Sequence, residues 1–317
     1  MPITSLLLLS LTAPIASDGP AAPPTVASGH VERFADFPSA QVPPRNVDVW
    51  LPDGYPRQAP YDVLYMHDGQ MLFDAAATWN HQEWRVDEVA GELIASGRVR
   101  PFIVVGVWNG GAARHPEYFP QKPFDSLPEA VQQAQLALAR DSGQTVLPQR
   151  PYADRYLRFL VDELRPAIER RFEVATGPGH TFVMGSSMGG LISMYALAEH
   201  PAVFGGAACL STHWPGGFQR EDNPHPAAFL AYIESTFPKA GTHRIWFDHG
   251  TATLDAMYPA LQREVDARIA AKGYGKDDWV TRVYEGAEHS EQAWAARLAD
   301  PLVFLLGTRP DPPAPPP

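Results

Sequence analysis

The chain holds a single cysteine, Cys209, among 317 residues. That excludes an intramolecular disulfide and any cysteine-ligated zinc or iron–sulfur site. Positive charge is scarce as well: 25 Lys and Arg stand against 36 Asp and Glu, a formal net charge of −11, and no basic stripe gathers along the sequence. A phosphate backbone is repelled by such a surface, so nucleic acid is excluded as a partner. No apolar run approaches the ~20 residues that span a bilayer. The longest near the start, Leu6 to Leu11, has the length of a signal-peptide core, with small residues at Ala13, Ala16 and Ser17 and a Pro/Ala linker from Gly19 to Pro24 behind it. Even here something is missing, because no Lys or Arg precedes the run. Residues 1–28 are therefore expected to be a signal peptide and linker, and the protein to be exported, periplasmic or secreted.

What remains is ordinary globular material, 45% hydrophobic and 19% charged, too apolar for an intrinsically disordered chain. The 33 prolines concentrate at the two ends and in one internal stretch. Residues 308–317 read as a Pro-rich solvated tail, since proline neither continues a helix nor donates to a strand ladder. Between the ends, short β-branched runs alternate with helical patterns. Asn46 to Leu51, Tyr61 to Met66 and Phe102 to Val107 read as strands; so do Thr181 to Met184, Ala207 to Leu210, Arg244 to Phe247 and Trp279 to Tyr284. Apolar residues at helical spacing run from Tyr156 to Phe172, Leu191 to Ala198, Leu261 to Ala271 and Gln292 to Leu306. This alternation predicts one α/β domain over 29–307: a doubly wound, mostly parallel sheet of about eight strands with helices on both faces and an antiparallel start. Residues 120–151 break the rhythm and read as a lid-like insertion holding a helix between Leu127 and Arg140.

One segment carries chemistry. Gly185-Ser186-Ser187-Met188-Gly189 places Gly-x-Ser-x-Gly between a predicted strand and a predicted helix. A sharp strand-to-helix turn lifts a serine Oγ off the sheet, the flanking glycines allow the close backbone approach, and the helix N-terminus favours a developing oxyanion. Only Ser187 has glycine two residues away on each side, so it is the nucleophile expected rather than Ser186. Eleven histidines compete as its base. In the strand–turn–helix hydrolase order of serine, acid, histidine, the base follows the last strand, which selects His289 in the loop after Trp279 to Tyr284. His67, His213 and His249, at other strand ends, are expected to face the same cleft and contact substrate. The acid should follow the strand Arg244 to Phe247, and both Asp248 and Asp255 qualify; Asp255 has the longer reach. Trp214 is expected to wall the acyl or alcohol pocket and Asp68 to bind a substrate hydroxyl or stiffen its loop, whereas Trp79, Trp84 and Trp294 read as core.

A wider set of residues resembles the putative esterase family of the α/β hydrolases. It comprises His67-Asp-Gly-Gln70, Glu83-Trp84-x-x-Asp87, Arg114-x-x-Glu117-Tyr118, the elbow with its doubled glycine, and Gly286-x-x-His289-x-x-x-x-Trp294. The family includes S-formylglutathione hydrolase, feruloyl and acetylxylan esterases, trilactone siderophore esterases and the antigen 85 mycolyltransferases. The resemblance runs from about Val47 to Leu306. It implies a Ser187, Asp255, His289 triad and an oxyanion hole made by the backbone N–H groups of Gln70 and Met188. Several members carry the acid three residues after the glycine of the Gly-Thr turn, where this chain has Thr253. The expected activity is hydrolysis of a small-molecule or carbohydrate carboxylic ester through an acyl-enzyme, with no metal and no organic cofactor. An acyltransferase of the antigen 85 type would use the same groups, and an inactive carbohydrate-binding homologue would keep only the fold.

Overall fold

A computed structural model describes residues 22–139, 145–217 and 221–308. The expected signal core at Leu6 to Leu11 and most of the proline tail lie outside the described residues. Eight strands form one sheet: β1 (His30–Phe37), β2 (Arg45–Leu51), β3 (Asp62–His67), β4 (Phe102–Val107), β5 (Thr181–Ser186), β6 (Gly206–Leu210), β7 (Arg244–Gly250) and β8 (Trp279–Tyr284). Their spatial order is β1-β2-β4-β3-β5-β6-β7-β8. β1 and β2 pair antiparallel, β2 runs antiparallel to β4, and every pairing from β4 to β8 is parallel. The chain is thus an open α/β sheet with an antiparallel margin.

β1 escapes a sequence reading because its apolar residues Val31, Phe34 and Phe37 recur every three positions, not every two. The register shifts between Phe34 and Phe37, and Asp36 takes φ 46° there. A bulge of this kind adds a residue to one strand and breaks the period-two pattern that identifies strands. The central strands pose no such problem. β3, β4, β5 and β6 are buried along their whole length, as expected of strands covered on both faces.

Two apolar layers flank the sheet. One packs Val47, Val63, Val105 and Val183 against Tyr156, Leu160, Leu191, Tyr195, Phe229 and Val265, which come from the helical run 153–171 and the helices Met188–Glu199, His225–Thr236 and Tyr258–Ala271. The other packs Leu64, Met66, Val104 and Met184 against Val86, Leu93, Leu302 and Leu305 of the helices Val86–Ala95 and Ala299–Leu306. The run 153–171 turns with π geometry over Phe159–Leu164, and the expected last helix divides into Glu291–Ala295 and Ala299–Leu306. The insertion does contain a helix, Glu129–Ala137. Its ends bury Phe124 and Leu147 in the first apolar layer, so its described residues add to a core wall.

The segment before β1 is tied down by carboxylates. Asp74 accepts from the Thr25 amide at 3.1 Å and Asp87 from the Ala27 amide at 2.6 Å, while Ser28 Oγ donates to the Asp87 carbonyl at 2.8 Å. Asp87 is 1% exposed. Burial pushes its carboxyl up to about 6, with Glu88 adding to the rise and the Ala27 N–H opposing it. A carboxyl raised in the folded state favours folding most below its unfolded value near 3.9, and that contribution is lost as pH climbs through about 6. Asp87→Asn keeps an acceptor for Ala27 without the charge. The variant should melt higher than the parent at pH 7–8, with the difference vanishing near pH 4; equal midpoints across that range in a thermal scan would refute the assignment.

Candidate active site

Four parallel strands deliver the predicted residues to one edge. β3 ends at His67 before Asp68–Met71, β5 at Ser186 before Ser187, β7 at Gly250 before Asp255, and β8 at Tyr284 before His289. Strands that run parallel finish on the same side, which is where open α/β sheets hold their ligands.

Ser187 sits at φ 58°, ψ −121°, between β5 and the helix Met188–Glu199. Side chains rarely tolerate that backbone, at a cost on the order of 1–3 kcal/mol. The turn is held from both sides: the Ser187 amide donates to Leu210 at 2.9 Å, and its carbonyl accepts from Gly190 at 3.0 Å and His213 at 3.1 Å. Gly185 is required here, because a Cβ on it would lie 2.8 Å from the Gly189 backbone. The helix that follows is buried on every side from Met188 to Ala198, so it carries no polar face.

His289 faces Ser187 across a cleft of about 550 Å³. Its backbone amide donates to Thr253 Oγ1 at 2.9 Å, and its Nδ1 is 2.6 Å from Asp255 Oδ1. Thr253 therefore fastens the histidine loop, and Asp255, two residues further on, brings a carboxylate to the imidazole. Asp255 is fully buried; its Oδ2 accepts from Ser211 Oγ and from the Gly250 amide, each at 2.6 Å. Burial alone raises its carboxyl, and the hydrogen bonds from His289, Ser211 and Gly250 outweigh burial and hold it below its usual value. Asp248 does not reach the histidine. It accepts from Arg297 Nη2 and from Trp246 Nε1, each at 2.8 Å, beneath the cleft.

The turn after β3 closes the opposite wall. Asp68 takes φ 58°, and a Cβ on Gly69 would fall 2.4 Å from the Gly106 carbonyl carbon, so the turn presses directly onto β4. Neither the Gln70 nor the Met188 amide meets a protein acceptor among the described residues. Both belong to residues of the turns that border the cleft. Asp68 itself is 8% exposed and spends its oxygens on protein: Arg114 binds both, at 2.6 and 2.8 Å, and Asn109 Nδ2 lies 2.6 Å from Oδ1. Of the two roles expected for Asp68, stiffening the loop is the one its partners support. Burial raises its carboxyl, but Arg114 and Asn109 prevail and hold it below its ordinary value.

Four expectations are corrected. His67 lies beneath the turn, hydrogen-bonded through Nδ1 to Tyr156 at 2.9 Å, and burial pushes its imidazole down to about 3. His213 commits both nitrogens, to Tyr258 and to the Gly217 carbonyl, and His249 is buried with Nδ1 on the Gly250 carbonyl. Trp214 is 1% exposed, packed on Phe247 with its N–H on Gln262. None of these four lines the cleft. Trp79 errs the other way: it is 83% exposed at the cleft rim, whereas Trp84 and Trp294 are buried yet form its inner wall. The polar neighbours Asn80 and His81 are the sequence signal for an exposed ring at Trp79. Two larger depressions, of about 610 and 740 Å³, lie behind the His289 loop and near Lys239, away from Ser187.

The family model for putative esterases matches residues 42–305. This chain belongs to that family. Ferri-bacillibactin esterase BesA of Bacillus subtilis is 26% identical over 57% of this chain and 58% of its own length. A ferulic acid esterase structure from Anaeromyces mucronatus covers 95% of this chain and 98% of that one at 16% identity, with a TM-score of 0.61. The enterochelin esterase of Shigella flexneri covers 90% of this chain and 60% of that one at 17% identity and a TM-score of 0.63. The likeness to these two structures is one of fold, an open and mostly parallel α/β sheet of the α/β-hydrolase kind. The chain spans between 24% and 59% of the length of the curated relatives it matches. Among the described residues, no helix is long and apolar enough to cross a membrane.

The Arg114–Asp68 pair has a testable consequence. Arg114→Met strands a buried carboxylate and frees the turn carrying Gln70. Breaking a buried pair from one side costs about 3–5 kcal/mol, and the half-exposed arginine places this case at or below the low end. Melting should fall by several degrees, and turnover of an ester substrate should drop about tenfold or more. An unchanged melting point and unchanged turnover would show that the pair fixes nothing.

Proposed function

We propose that this member of the family hydrolyses carboxylic esters through an acyl-enzyme on Ser187. The observation that carries the reading is a strained elbow serine sharing a cleft with a histidine whose far nitrogen is fixed on a buried aspartate. With Nδ1–H held by Asp255, the imidazole presents Nε2 as an acceptor toward the cleft, the tautomer a general base needs. Ser187 Oγ attacks the ester carbonyl while His289 takes its proton. His289 then delivers that proton to the leaving alcohol, and water repeats the sequence to release the acid. Asp255 balances the imidazolium formed in each half. The amides of Gln70 and Met188, lacking protein acceptors, are the donors for the tetrahedral oxyanion, each worth roughly 3–4 kcal/mol in comparable sites.

The cleft also bears on the substrate. Trp79 projects from the rim, and Asn80, Gln82, Asn109 and Glu291 give the walls a polar lining. An exposed indole beside hydrogen-bonding groups suits an ester whose acyl or alcohol part carries a ring, as aromatic acids and sugars do. The names of the ferulic acid and enterochelin esterases point the same way.

Ser187→Ala should lower hydrolysis of p-nitrophenyl acetate by roughly 10³ or more with the fold intact, Ser186→Ala should cost far less, and a fluorophosphonate should label Ser187. Activity persisting in Ser187→Ala, or a label on another serine, overturns the assignment.

Trp79→Ala tests the rim. Because the side chain is exposed, the melting point should not move, while KM for a feruloyl or sugar acetate ester should rise about three- to tenfold with little change in kcat. No change in KM on either substrate removes the tryptophan from recognition.

A further inference from the structure

Beneath Asp255 lies a chain of buried polar groups that the reaction as described does not use. Ser211, fully buried at φ 43° just after β6, is in contact with three partners. Trp294 Nε1 and Arg297 Nη2 reach its hydroxyl oxygen at 3.0 and 2.8 Å, and that oxygen lies 2.6 Å from Asp255 Oδ2. Indole and guanidinium N–H groups can only donate. They fill both lone pairs of the serine oxygen, so its one hydrogen must point at Asp255. The same Arg297 Nη2 donates its second hydrogen to Asp248 Oδ1 at 2.8 Å, and Asp248 Oδ2 is held by Trp246. Arg297 is 4% exposed and lies over the Tyr284 ring at 4.9 Å. Each group in the line has its donor or acceptor sense dictated by the next.

We propose that Arg297, anchored on Asp248, acts through Ser211 as a positioning relay that fixes the plane of the Asp255 carboxylate. With Oδ2 occupied by Ser211 and the Gly250 amide, only Oδ1 is turned to His289, at 2.6 Å. Asp248 is then the anchor of the guanidinium rather than an alternative acid. The inference rests on the reading of Ser187, His289 and Asp255 as the reacting set. Ser211, Arg297 and Asp248 touch no substrate; they set the geometry and the charge density of the acid that orients the base.

The test measures kcat, KM and the pH dependence of kcat/KM on p-nitrophenyl acetate. The titratable and charged groups around His289 are Asp255, Tyr258 at 5.9 Å between rings, His213, and Asp68, Glu291 and Arg114 lining the same cleft. Of these, Asp255 is the one hydrogen-bonded to a residue that the variants replace. Ser211→Ala removes a donor from the carboxylate, which leaves more of its charge for the imidazolium. The expected result is a kcat roughly tenfold lower or more, an unchanged KM, and a rising limb moved to higher pH by about half a unit or more. Because Arg297→Met alone would strand Asp248, the arginine is tested as Arg297→Met with Asp248→Asn, a neutral exchange expected to lower kcat about three- to tenfold with the same direction of limb shift. A fall in melting point with kcat and limb as in the parent makes the network structural only and overturns the proposal. An effect confined to Ser211→Ala shows that Ser211 acts without Arg297, and the relay is wrong. Failure of the underlying reading looks different: Ser187→Ala then stays active.

Discussion

The backbone at Ser187 is the constraint on which the site depends. A serine at φ 58°, ψ −121° cannot hold itself there. It is kept in place by β6 accepting its amide, by the first turn of the following helix, and by a Gly185 that admits the Gly189 backbone. Each of these restraints in turn needs the sheet order around it. β5 lies between β3 and β6, so the elbow opens with the Gln70 turn on one side and the Ser211 turn on the other. The strain is small beside the burial of a helix that is apolar all round, and that helix is what fastens the elbow to the core.

The polar groups of the site sort by which of their atoms still lack a protein partner. Asp68, His213 and His249 looked equally available in the sequence, because each follows a parallel strand. In the fold Arg114 and Asn109 take the oxygens of Asp68, Tyr258 and Gly217 take both nitrogens of His213, and Gly250 takes Nδ1 of the buried His249. Ser187 and His289 line the cleft, and among the described residues neither Ser187 Oγ nor His289 Nε2 meets a protein partner. A buried polar group that is fully partnered stabilises and orients; one left open at a concave surface is where chemistry can occur.

This division explains what the sequence made legible. Ser187 announces itself because a strand, a Gly-x-Ser-x-Gly turn and a helix follow one another, and each has a local signature. His289 is legible through chain order alone. The choice between Asp248 and Asp255 is not, since it depends on where Arg297 lies, and Arg297 arrives about forty to fifty residues after the two acids. Distance along the chain hides the Ser211 network for the same reason: its members come from β6, β7, the turn after β7 and the last helical segments. Trp214 and Trp79 were misplaced because hydrophobicity says that a ring prefers burial without saying which ring finds room. β1 was missed because a bulge disguises its period.

The segment from Ala75 to Gln82 joins the Gln70 turn to the helix that backs the sheet, and it gives no side chain to either apolar layer. Asn80 donates to Glu291, at the start of the helix after the histidine loop, at 2.9 Å. Under the proposed function, recognition on this side of the cleft falls to a stretch whose exposed ring, Trp79, can be exchanged without removing a side chain from the core. On that reading, a change of ester class asks for new side chains at the rim and leaves the elbow backbone as it is.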